Sequence, residues 1–174
     1  MNEVIRGWWA CVYSNDRLIC VETYSGYRGG TDADYKGTSH CLDVGANDAA
    51  LGEAVLGALG RSRWVLGAAR PGSIYPPDVE FDDILYDREN AAERYGNWVD
   101  MLMVRYGYKT KRTLFEGMMS CPVERRSGTI KIRPTHHVKL EAWEGSEADT
   151  VCISESSTPA EIGAALRLAL SRCT

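Results

Sequence analysis

No stretch of this chain approaches the roughly 20 consecutive apolar residues that a bilayer-spanning helix needs, which excludes a transmembrane helix. The opening MNEVIRGWWACVYS lacks the charged-then-apolar layout and small-residue cleavage site of a secretory signal, so the expected location is the cytoplasm. The six cysteines (Cys11, Cys20, Cys41, Cys121, Cys152 and Cys173) never fall into C-x-x-C spacing, which argues against zinc ribbons and thioredoxin-type redox motifs. They are expected to be reduced, buried thiols that pack as small hydrophobes. Histidine is scarce, with only His40, His136 and His137. There is no P-loop, no G-x-S-x-G elbow and no G-x-G-x-x-G after a strand. Neither a cofactor nor a bound metal is expected, and no enzymatic activity.

What is present is ordinary for a globular chain: 174 residues, 44% hydrophobic and 25% charged. This is enough for one domain with a substantial core, spanning residues 1–174. The net charge of −4 is unevenly spread. Residues 101–140 hold nine bases and two acids, a segment of +7 that leaves −11 on the remainder. Such asymmetry implies opposed faces or pairing across the fold.

The β-branched and aromatic runs Trp8–Ser14 and Arg17–Tyr24 predict a hairpin turning at Asn15-Asp16. A two-residue turn there would set Cys11 opposite Cys20. Residues 25–37 (SGYRGGTDADYKG) are glycine-rich, polar and aperiodic, and read as a mobile loop. Ser39–Val44 then forms a short strand, and Asn47 caps a helix running to about Arg61. Near the C-terminus Thr150–Glu155 is a strand, and Thr158-Pro159-Ala160-Glu161 is a capping box opening a helix to about Arg172. The two helices align at a constant offset of 111, Gly52 on Gly163, Ala54 on Ala165, Leu59 on Leu170 and Arg61 on Arg172. Cys41 falls on Cys152 at the same offset. Each glycine is expected to let its helix approach the sheet.

Between these units lies a Gly/Pro-rich connection at 68–77, followed by a helix from about Glu89 to Tyr106. Ala91, Tyr95, Trp98, Leu102 and Tyr106 form its expected buried stripe, and Gly107 its cap. Ser120–Glu124 and Thr129–Arg133 predict a second hairpin around Arg126-Ser127-Gly128, and Val138–Trp143 a further strand. The whole reads as α+β, a mainly antiparallel or mixed sheet packed by about three helices.

Three segments invite a functional reading. PTHHVKLEAW (134–143) carries two adjacent histidines, but strand alternation sends His136 and His137 to opposite faces, so they cannot serve one metal or one acid–base pair. The segment Asp78–Glu89 holds six acids against one base. Asp78, Glu80, Asp82, Asp83 and Asp87 are the candidate partner-facing carboxylates, since clustered charge suits steered association with a cationic protein. Phe81, Ile84 and Tyr86, interleaved with them, read equally as core residues or as interface anchors. Tyr106, Tyr108, Lys109, Lys111 and Arg112 mix aromatics with cations as single-strand binders do. The overall negative charge argues against nucleic acid, and the alternative is a solvated face pairing with the acidic segment.

Three blocks carry a family resemblance: YGYKTKR (106–112), PTHH–KLEAW (134–143) and EIGAALRLALSR (161–172), set within the longer runs 95–145 and 151–173. Together they resemble the immunity proteins of bacterial contact-dependent growth inhibition systems. The resemblance implies a non-enzymatic inhibitor that binds the C-terminal toxin domain of a large effector in the cytoplasm. The toxin is commonly a nuclease, whose cationic groove an acidic face would complement.

Overall fold

The computed structural model describes residues 4–174. Strand β1 (Trp8–Ser14) pairs antiparallel with β2 (Ile19–Tyr27), but Ser14 faces Ile19 and Cys11 faces Glu22. The expected two-residue turn is therefore four residues long. Asn15 folds its side chain into it, accepting from the amides of Arg17 (2.8 Å) and Leu18 (3.1 Å), while Leu18 is fully buried. The register slips by two residues, which preserves the faces but parts Cys11 from Cys20. Cys20 instead lies opposite Cys41 and is disulfide-bonded to it, with Cα atoms 4.2 Å apart, so the expectation of six thiols is corrected.

The loop expected at 25–37 is also corrected. β2 continues to Tyr27 and returns as β3 (Gly30–Ala33) through Arg28, which adopts a left-handed backbone. β4 (Ser39–Leu42) then pairs with the earlier half of β2 along the same edge. Helix α1 (Asp48–Gly60) follows, its first turn capped by the Asn47 side chain.

After α1 come β5 (Val65–Leu66), β6 (Glu80–Phe81), the short α2 (Asp83–Tyr86), the long α3 (Arg88–Tyr106) and the short α4 (Lys111–Phe115). Gly107 ends α3 in a left-handed conformation, as its position predicts. β7 (Met119–Arg126) and β8 (Thr129–Ile132) form the second hairpin; Ser127 and Gly128 both have positive φ, as a type I′ turn requires. Val138–Trp143 is not one strand but two, β9 (Thr135–Lys139) and β10 (Ala142–Gly145), turning at Leu140–Glu141. β11 (Val151–Ser154) and α5 (Pro159–Ser171) complete the chain, with the capping box at Thr158 and Glu161 formed in full.

The main sheet has seven strands in the order β11-β8-β7-β1-β2-β3, with β4 also on β2, and all its pairings are antiparallel. α1 and α5 cover one face, burying Leu51, Val55, Leu59, Ile162 and Leu166 against Val12, Val21, Val123, Ile130 and Ile132. α3 and α4 cover part of the other, with Val99, Leu102, Leu114 and Phe115 against Leu18 and Cys20. Of the stripe expected on α3 only Leu102 is fully buried, because the first half of that helix lies over a polar cleft instead of apolar core.

The offset of 111 reaches beyond the two helices. It places the start of β1 on that of β7, β2 on β8, β4 on β11 and α1 on α5 end to end. The glycines it equates serve the helix–helix contact, not the helix–sheet contact anticipated. A Cβ at Gly52 would meet the carbonyl of Pro159, and one at Gly163 the carbonyl of Asp48. The helices meet reciprocally near their N-termini, and in each unit three strands matched by the offset precede the helix.

Candidate functional site

The acidic segment is held from behind by Arg63. Its guanidinium makes a bidentate pair with Asp34 (Nε to Oδ2 2.7 Å, Nη2 to Oδ1 2.8 Å) and reaches Asp82 at 3.0 Å and Glu80 at 3.1 Å. The Asp34 side chain is wholly buried and also accepts from Ser25 Oγ at 2.5 Å. Burial alone would raise the Asp34 pKa, but the bonds from Arg63 and Ser25 hold it below the ordinary carboxylate range. Asp82 is 6% exposed and receives bonds from Tyr35 and Lys36 as well, which outweigh its burial and lower its pKa to about 2.

The five candidate carboxylates therefore separate. Asp82 points inward. Glu80 is exposed yet tied to Arg63, and Asp87 is exposed while accepting from the Asn90 amide to cap α3 (2.7 Å). Asp78 and Asp83 are exposed and make no ion pair among the described residues. Beside them stand apolar side chains in solvent: Ile74 is 93% exposed, and Phe81 and Ile84 are each 45% exposed. Tyr75 packs edge-on against Phe81 (5.1 Å between ring centroids). Exposed apolar side chains within a charged rim have the composition of a protein-docking face.

The basic segment behaves differently. Tyr106 and Tyr108 are half-buried against the α3–α4 core, and the Tyr108 hydroxyl accepts from Asn15 at 2.8 Å, so neither ring is a free stacking platform. Lys109 and Arg112 are exposed, and Lys111 pairs with Glu141 at 3.7 Å. Among the described residues no ion pair joins this segment to Asp78–Glu89, so of the alternative reading the solvated face is seen and the pairing is not.

The histidines separate as strand alternation requires. His136 Nδ1 contacts the Thr174 hydroxyl, whereas the His137 ring stacks on Trp143 at 5.1 Å. No group of three or more His, Cys, Asp or Glu among the described residues is placed to hold a metal ion. Cys121 and Cys173 bring their sulfurs to 3.5 Å; their shared hydrogen bond, with help from Ser120 and Thr135, lowers the Cys173 thiol to about 6.

One site escaped the sequence reading altogether. A cleft of about 380 Å³ lies between the sheet and α3, lined by Tyr13, Tyr24, Tyr35, Tyr95, Trp98 and the carboxylates Glu22, Asp32 and Asp34. The signal was there in β2: in the run CVETY, Glu22 places a carboxylate on the face shared by Cys20 and Tyr24. One of its oxygens accepts from Ser39 Oγ (2.5 Å) and Trp98 Nε1 (2.9 Å), and burial raises its pKa despite both bonds.

The family model described as CDI immunity protein matches residues 8–173. The chain belongs to the CDI immunity protein family. Another family member, immunity protein CdiI-YPIII of Yersinia pseudotuberculosis serotype O:3 (strain YPIII), is 48% identical over 176 residues, covering 99% of both chains. Among solved structures, a chain of the CdiA-CT/CdiI toxin and immunity complex from Yersinia pseudotuberculosis superposes with a TM-score of 0.94 at 47% identity, over 99% of this chain and 100% of that one. Protein of Unknown Function NMB0488 from Neisseria meningitidis superposes at 0.84 with 38% identity, over 100% and 99%. The family match and the structural likeness thus extend over nearly the whole chain.

Proposed function

We infer that this chain is an immunity protein that binds the cognate C-terminal toxin domain of a contact-dependent growth inhibition effector in the cytoplasm and blocks it without catalysis, protecting the producing cell. The observation that carries this reading is the end-to-end likeness, at 47% identity, to a chain of a toxin and immunity complex. The toxin-facing surface is the acidic segment with its apolar anchors. Asp78, Glu80, Asp83 and Asp87 supply charge, Phe81 and Ile84 supply contact area, and Asp82 fixes the segment to Arg63 from within. Such a face complements the cationic groove of a nuclease, so the toxin is expected to act on nucleic acid.

The reading is tested by co-expressing the chain with the C-terminal domain of the large effector encoded beside it. Cells should survive, and the two proteins should co-purify. Survival should persist in the His136→Ala and His137→Ala variants, because no proton transfer is asked of either ring. Cells that die while the chain accumulates in folded form would overturn the reading.

A further inference from the structure

We propose that the cleft between the sheet and α3 receives one basic side chain, an arginine or lysine, of the bound toxin domain. This deepens the toxin-neutralising reading and rests on it. At about 380 Å³ the cleft stands at the small end of ligand sites, room for a side chain and its neighbours but not for a folded element. Its walls are aromatic on two sides. Tyr13 and Tyr24 rise from the sheet with their hydroxyls 2.7 Å apart, and Tyr95 and Trp98 descend from α3, the Trp98 ring 5.1 Å from Tyr13 and 5.9 Å from Tyr95. Electron-rich ring faces attract cations, most strongly where water is excluded.

The charge within the cleft has the matching sign. Glu22 uses Oε1 for both of its hydrogen bonds, leaving Oε2 without a protein partner among the described residues. Among the described residues no Lys or Arg lies within salt-bridge distance of Glu22 or of Asp32 at the rim. The third carboxylate, Asp34, is already saturated by Arg63 and Ser25. The one base in the lining, Arg94, is already engaged: its guanidinium lies over the Tyr35 ring (5.2 Å to the centroid) and donates to Asn90 and to the carbonyls of Ile84 and Leu85. A partly buried carboxylate with no counter-charge is unfavourable in the free protein; an incoming guanidinium or ammonium would restore the balance. The cleft also adjoins the proposed docking face, since Tyr35 lines it and donates to Asp82.

The experiment measures binding of the wild type, Glu22→Gln and Asp32→Asn to the toxin domain, and titrates each protein with n-butylguanidinium while following the Trp98 indole N–H resonance. Glu22→Gln should weaken toxin binding about tenfold or more, the worth of one charge-assisted hydrogen bond, while melting no lower than the wild type. Asp32→Asn, at an exposed position, should weaken it less. The guanidinium should shift the Trp98 signal in the wild type and not in Glu22→Gln. The inference falls if both variants bind the toxin domain as tightly as the wild type, or if the probe leaves the Trp98 resonance unmoved. A wild-type protein that binds no toxin domain at all overturns the neutralisation reading itself, whatever the titration shows.

Discussion

Arg63 and Glu22 are opposite cases of buried charge. Arg63, 13% exposed, satisfies three carboxylates and is in turn held protonated by Asp34 above all. Replacing it by leucine strands the buried Asp34, at a cost of about 3–5 kcal/mol. A lowering of the melting midpoint by roughly 10 °C follows for a chain of this size, readable by calorimetry. The pH dependence has a definite sign. Asp34 and Asp82 both titrate below their ordinary value of 3.8 in the folded state, Asp82 at about 2. Their contribution is present above the unfolded value and disappears as pH falls from about 4 toward 2. Between about pH 4 and 2 the stability of Arg63→Leu should fall less steeply than that of the wild type, since the variant has already lost the Arg63 pairing. Glu22 runs the other way: its pKa is raised, so the folded state is penalised as pH rises through it. Glu22→Gln should therefore melt higher than the wild type at pH 7–8, with the gain vanishing below the ordinary value of 4.5.

At the scale of elements, the α1–α5 crossing is the most sensitive contact. Gly163→Ala gains about 1 kcal/mol of helix propensity but drives a Cβ into the Asp48 backbone, which cannot move without the helix. Overpacking of this kind costs about 1–3 kcal/mol, so the net change should be destabilising. The same holds for Gly52→Ala against Pro159. Because one separation of the helices relieves both clashes, the double variant should cost less than the sum, a coupling that urea denaturation of the four proteins measures. Gly96, in α3 with nothing near its absent Cβ, is the control: Gly96→Ala should stabilise by about 0.5–1 kcal/mol. The elements most legible in the sequence were those with local punctuation, such as the Asn47 and Thr158 caps, the Gly107 stop and the Ser127-Gly128 turn. What escaped was set by distant residues. The β3 return depends on Arg63 holding Asp34, 29 positions away, and the first hairpin's register depends on Leu18 reaching the α3–α4 core. The cleft joins β2 to α3, and no local pattern announces that meeting.

Across the whole molecule, the two units related by the offset of 111 supply the sheet and one helical layer, while residues 61–118 between them carry the acidic segment, α3 and α4. Scaffold and proposed binding surface are thus separable: the two matching units bury the larger apolar cluster, and the intervening segment exposes Ile74, Phe81 and Ile84 beside its carboxylates. Changes to that exposed face should alter association, and the main stability cost among its carboxylates is loss of the Asp87 cap on α3, about 1 kcal/mol. Replacing Asp78, Glu80, Asp83 and Asp87 together by alanine removes four negative charges from a steering surface. Stopped-flow association with the toxin domain should slow about tenfold or more at low salt. The variant and the wild type should converge near 1 M salt, where the Debye length shrinks to about 3 Å. An effect confined to dissociation would assign these carboxylates to short-range contact instead of steering. Equal rates at every salt concentration would move the docking face elsewhere, with the +7 segment at 101–140 as the rival surface for an acidic toxin.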